Sequence, residues 1–193
     1  DKNKKELKKY LEYGMSRDID NCKQLFYFYF NKNKSDTIPE APIELNEKMV
    51  ESLPSGARRI HLGVRKVFHA TSSKNAFSIT DDAEMRKGSF GMFGPGIYFA
   101  ATRDIAEHKC RAAGHPAEGF IVCQVNFGYA LILDSPNKNL TKTDIANLKC
   151  DSVMGRSAVG RDWEFVVYDE NRVRQMYILT LKGTKLIKTD NEH

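Results

Sequence analysis

Two short runs late in the chain, Glu164 to Tyr168 (EFVVY) and Gln175 to Leu181 (QMYILTL), are dense in β-branched and aromatic residues and flanked by polar sequence. Runs of that length and composition are strands. Phe120 to Phe127 (FIVCQVNF) alternates in the same manner, and Leu131 to Leu133, Val64 to His69 and Gly96 to Ala100 are shorter candidates. Helical patterns are fewer: 2–13, 44–52, 73–79 with Ser72 or Ser73 as cap, and Thr102 to Ala113 with Thr102 as cap. The run Leu25 to Phe30 (LFYFYF) fits a strand or a buried helix end equally well. Strands outnumber helices in the second half and no repeating βαβ unit appears, which predicts an α+β fold with a mostly antiparallel sheet.

The 193 residues suit one domain of ordinary size with a small appendage. With 41% hydrophobic residues, 11 Phe and 8 Tyr, the chain has the means to form a core, which excludes disorder throughout. No apolar run approaches the ~20 residues that span a bilayer. Asp1 to Lys9 is charged, so no secretory leader is expected in this chain.

The net charge is +5, and residues 1–34 supply +4 of it, nine Lys/Arg against five Asp/Glu. The rest carries about +1 and no basic stripe, which argues against a nucleic-acid partner. Four cysteines without a CxxC pair imply a reducing, intracellular setting. The spacing of Cys110, His115 and Cys123 matches no standard zinc ligand set, so no metal is expected. Three prolines among the polar residues 31–56 mark a connecting segment. The expected division is a helical and linker extension over 1–56 and a main domain over 57–193.

Three segments carry the chemistry: Val67 to Ser73 (VFHATSS), Met92 to Ala100 (MFGPGIYFA) and Trp163 to Tyr177 (WEFVVYDENRVRQMY). In this order they resemble the catalytic domain of poly(ADP-ribose) polymerases and related ADP-ribosyltransferases, and Asp151 to Arg156 (DSVMGR) resembles the tankyrase branch. The resemblance covers about residues 60–183. It implies two small, mostly antiparallel sheets around an NAD cleft with flanking helices. It also implies transfer of ADP-ribose from NAD, the substrate, to an acceptor with release of nicotinamide.

By the same resemblance Glu164 is the catalytic carboxylate. An anion beside the ribose stabilises the positive charge that develops there and can orient the attacking acceptor. His69 binds the adenosine ribose and is counted with Glu164 as catalytic; a neutral imidazole offers one donor and one acceptor to a diol. Tyr98 lines the nicotinamide pocket, where an aromatic face suits a cationic ring. Ala70, Thr71 and Ser72 follow His69 at the strand end and join the cofactor contacts, and Gly94 and Gly96 let the backbone approach the ligand. Met92, Phe93 and Ile97 are assigned to packing.

The chain departs from the family at three nicotinamide contacts. Ala70 stands where the family has glycine, Ala106 where it has serine, and Lys109 where it has a second stacking tyrosine. A one-residue shift would bring His108 to that last place. The triad reads His69, Lys109, Glu164. Retention of Glu164 favours activity, with single transfer to a protein acceptor. If the chain is an effector, ubiquitin or a host regulator is the analogous target. The alternatives are a non-catalytic ADP-ribose-binding or protein-interaction module, and an NAD glycohydrolase. His61, His115 and His193 have no motif around them. Arg156, Arg161 and Asp162 read as a polar loop ahead of Glu164.

Overall fold

The computed structural model describes residues 38–72, 75, 85–157, 162–180 and 185–187. The helix expected over 2–13, the aromatic run 25–30, the basic flank 1–34, Cys22, Arg161, His193 and most of the helix expected over 73–79 lie outside the described residues.

The fold is α+β, with one mixed, open sheet and few helices. The strands are β1 (Val50–Ser52), β2 (Arg58–Thr71), β3 (Ile97–Phe99), β4 (Gly119–Leu133), β5 (Ser152–Arg156), β6 (Trp163–Val167), β7 (Val173–Thr180) and β8 (Lys185–Ile187). The described helices are α1 (Arg103–Ala112) and α2 (Lys142–Asn147), with 3-10 turns at Glu47–Met49 and Glu170–Arg172.

The helix expected over 44–52 is not formed. Asn46 caps a single 3-10 turn, and Val50–Ser52 then pairs antiparallel with Arg58 to Ile60. The intervening Pro54-Ser55-Gly56 makes the turn, with Gly56 at φ 81°. Turn chemistry therefore overrides the short helical period. The expected boundary at 56/57 falls inside this hairpin. Further upstream, Ala41 donates to the Lys66 carbonyl (3.2 Å) and is buried in the main core.

The two expected strands 120–127 and 131–133 are one continuous strand, β4, paired antiparallel with β2 from Arg58↔Ile132 to Thr71↔Gly119. Their register shifts around Gly63, which faces Gly128. The opposite edge of β4 is divided. Gly119 to Val125 pairs antiparallel with β7, and Ala130 to Leu133 pairs parallel with β5. β5, β6 and β3 follow in antiparallel order. In place of two separate sheets, the described strands make one hydrogen-bonded sheet that forks where β4 changes partner.

Both faces of β4 are covered, which explains its near-continuous apolar sequence. Ile121, Cys123, Val125 and Phe127 enter the main core with Val67, Phe99, Trp163 and Phe165. Phe120 and Val122 face the other way and pack with Phe68, Ala100 and Ala106, which seats α1 on the sheet. A third cluster joins Phe93, Leu140, Ile145, Val166 and Tyr168. Among the described residues no helix is long and apolar enough to cross a membrane.

Candidate active site

The sheet order brings the motif residues together through β3. Phe68 and Ala100 exchange backbone hydrogen bonds of 2.9 Å each, so the end of β2 lies against the end of β3. On its other edge β3 pairs with β6, with Tyr98 opposite Val166. Glu164 lies two residues from Val166 and therefore on the same face as Tyr98. His69 and Glu164 thus flank β3 from its two neighbours.

These residues open onto one cavity of about 740 Å³, a volume in the range of nucleotide and cofactor sites. His69, Ala70, Thr71 and Ser72 line it from the β2 side. Gly96 and Tyr98 line it from β3 and the segment before it, and Lys109 and Glu164 complete it. Two expected contacts are elsewhere. His108 is exposed and does not line the cavity, because the cavity-facing stripe of α1 is Ala106, Lys109, Cys110 and, just beyond, Ala113, a helical i, i+3, i+4, i+7 face. Gly94 is not on the cavity wall; it adopts φ 81°, and a Cβ there would overlap the Leu140 carbonyl oxygen.

His69 is fixed by its Nδ1, 2.8 Å from the Tyr98 carbonyl oxygen. A carbonyl only accepts, so Nδ1 carries the proton and donates, which leaves Nε2 as an acceptor. Burial lowers the pKa of the imidazole and keeps it neutral. Tyr98 is anchored at its hydroxyl, which accepts from the Phe93 N–H (2.9 Å) and donates to the Gly94 carbonyl (2.7 Å). Gly91 makes room for it, since a Cβ at that position would overlap the phenol. Burial pushes the Tyr98 phenol up to about 12, the Phe93 N–H opposing and the nearby Glu164 charge reinforcing the shift. Beside it, the Tyr168 hydroxyl donates to the Phe93 carbonyl and secures the same loop.

The opposite wall depends on one ion pair. Lys109 Nζ is 2.8 Å from Glu164 Oε1, and the two side chains are 19% and 12% exposed. α1 places Lys109 through its Thr102 cap, whose Oγ1 accepts from the Ile105 N–H (3.3 Å), and through Ala106 on the sheet. Lys109 lines the cavity as the sequence suggests, but its partner is the expected catalytic carboxylate.

At the start of the following segment the Ser72 hydroxyl accepts from the Asn75 N–H (3.3 Å), as a helix cap does. Arg86 and Phe90 also line the cavity and were not singled out from the sequence; His115, to which the sequence assigns no role, lines it as well. Phe90, 86% exposed, stands at the rim. Arg156 does not line the cavity; it stacks on Trp163 at 4.4 Å and reaches Asp134 at 3.9 Å. Cys123 is buried in the core, and among the described residues no three His, Cys, Asp or Glu side chains gather as a metal ion requires. Phe93 and Ile97 are buried and Met92 is partly so, and Ile97 also lines the cavity.

The chain was compared with models of known families and with curated proteins, and it matches none of them.

Proposed function

We propose that this chain is a poly(ADP-ribose)-polymerase-like ADP-ribosyltransferase that moves one ADP-ribose from NAD to a protein acceptor and releases nicotinamide. The observation that carries this reading is the gathering of His69, Tyr98 and Glu164 around β3 on one cavity of nucleotide size. The forked α+β sheet is compatible with the corresponding fold.

In this reading the Nε2 acceptor of His69 takes a ribose hydroxyl of the adenosine half. The Glu164 oxygen not held by Lys109 faces the developing positive charge at the nicotinamide ribose, where a preorganised anion lowers the barrier. The glycosidic bond breaks with its electron pair going to nicotinamide. The acceptor then attacks the same carbon and gives its proton to the carboxylate or to water. Three described cysteines are free thiols, which suits an intracellular site of action.

The Lys109–Glu164 pair favours a second reading, a module that binds ADP-ribose without turnover, because it neutralises the group that catalysis needs. NAD labelled in its adenylate half separates the readings when incubated with the protein and a cell lysate, beside Glu164→Gln. Transfer puts label on protein, hydrolysis gives free ADP-ribose, and a binding module gives neither. Label on protein that persists in Glu164→Gln would refute the role given to this carboxylate.

A further inference from the structure

We propose that, with no acceptor protein in place, this cleft transfers ADP-ribose from NAD to its own Lys109, and that the modified chain is thereby closed to further NAD. The inference rests on the reading of Glu164 as the carboxylate that faces the reacting carbon of NAD, and adds to it a modification site inside the cleft.

A ribose carbon that carries positive charge is captured by a nearby lone pair whose proton has somewhere to go. Among the described lining residues, hydroxyl, thiol and amine groups are those of Thr71, Ser72, Tyr98, Cys110 and Lys109. Thr71 and Ser72 follow His69 at the end of β2, the side given to the adenosine half. The Tyr98 hydroxyl is committed to the Phe93 N–H and the Gly94 carbonyl, and burial holds its proton. The Cys110 thiol is turned to the carbonyls of His115 and Pro116, at 3.8 Å each. Lys109 alone of the five is bonded to the carboxylate, with Nζ 2.8 Å from Glu164 Oε1. A nucleophile within hydrogen-bond reach of its proton acceptor is what covalent capture requires.

Two further features favour the amine over water. Lys109 and Glu164 are 19% and 12% exposed, so bulk water has little access to the pair. The Lys109 backbone is fixed by α1, while its four-carbon stem is flexible and lets Nζ turn from Oε1 to the carbon that Glu164 faces.

The bond from the ribose carbon to nicotinamide breaks, and its electron pair leaves with nicotinamide. The Lys109 ammonium passes one proton to Glu164 across their hydrogen bond. The freed lone pair forms a bond to the same carbon, and Nζ becomes a secondary ammonium. Glu164 then gives its proton to water. One NAD and one lysine thus yield one nicotinamide, one ADP-ribosyl-lysine and one proton, with no oxidant or reductant. ADP-ribose held on Lys109 occupies the cavity of about 740 Å³ and excludes a second NAD. An acceptor protein that reaches the carbon first leaves the lysine free.

The test incubates the purified protein with NAD labelled in its adenylate half, without lysate, beside Lys109→Arg and Glu164→Gln. Nicotinamide is counted per chain, and the label is located by mass spectrometry of peptides. The wild type should release about one nicotinamide per chain in a burst and then stop, with the label on Lys109. Neutral hydroxylamine, which cleaves carboxylate esters, should leave that label in place and so separate Lys109 from an ester on Glu164. Labelled ADP-ribose in place of NAD should give no adduct, since its ribose carbon has already lost the leaving group. Arginine keeps a cation on Glu164 but offers no free amine, so Lys109→Arg, shown to be folded by thermal unfolding, should carry no label at this position. If that variant does not fold, the wild-type peptide map decides. Glu164-dependent release of nicotinamide with Lys109 unmodified, a label lost to hydroxylamine, or equal labelling from ADP-ribose would overturn the self-modification and leave NAD cleavage standing. No release from folded wild type would instead overturn the reading of the cleft itself.

Discussion

On the strand side of the cleft, His69 and Tyr98 are bonded to backbone atoms of β3 and the loop before it. On the helix side, Lys109 and Glu164 are bonded to each other through the ends of two side chains. Backbone partners are held by the sheet and cannot leave without disturbing it. A side-chain pair can exchange partners by rotamer change alone. The first wall is built for a fixed shape and the second for a charge balance that a ligand or a substitution can reset.

The most damaging way to break this comparison is to disturb the strand-side loop. Gly94→Ala forces a side chain into a left-handed conformation and against the Leu140 carbonyl. A loss of about 3 kcal/mol or more is expected in chemical denaturation. A loss below ~1 kcal/mol would mean that the loop can shift and that this wall is less rigid than described. Tyr98→Phe is the milder test. It removes the acceptor for the Phe93 N–H and the donor to Gly94 while keeping the ring, at an expected cost of about 1–3 kcal/mol. Unchanged stability would show that water replaces both bonds without penalty.

The smallest effect is a pH dependence. Burial holds folded His69 below its ordinary value of 6.5. Between the two values the unfolded chain binds more protons, so stability falls as pH drops below 6.5 and is fully present above it. The slope contributed there is at most about 1.4 kcal/mol per pH unit. His69→Gln should flatten it; an unchanged slope in denaturation at several pH values would assign it to another group.

The same contrast governs what could be read from the sequence. α1 was legible to its ends, because Thr102 and the apolar spacing are local signals. So were the cores of β4, β6 and β7, whose composition is that of buried strands. β5 went unread as a strand, since Val153-Met154-Gly155 is short and gains its definition from pairing with β4 and β6. α2 was missed although Thr141 and Asp144 form a capping box three residues apart, a signal that was present and overlooked. The motifs named His69, Tyr98 and Glu164, but not what holds them. The use of the His69 donor by the Tyr98 carbonyl, and the space that Gly91 leaves for the phenol, depend on the β2–β3 junction. The Lys109–Glu164 pair joins residues 55 apart in sequence, and only the packing of α1 over the sheet brings them together.

The central claim is that Glu164 performs chemistry on NAD in this cleft, and the rate of nicotinamide release by the purified protein tests it most directly. Glu164→Gln keeps an acceptor for Lys109 and the shape of the side chain while removing the negative charge. The expected result is Glu164-dependent release that falls by on the order of 100-fold or more in the variant, with folding retained. Equal rates in the two proteins, or no release from folded wild type, would contradict it.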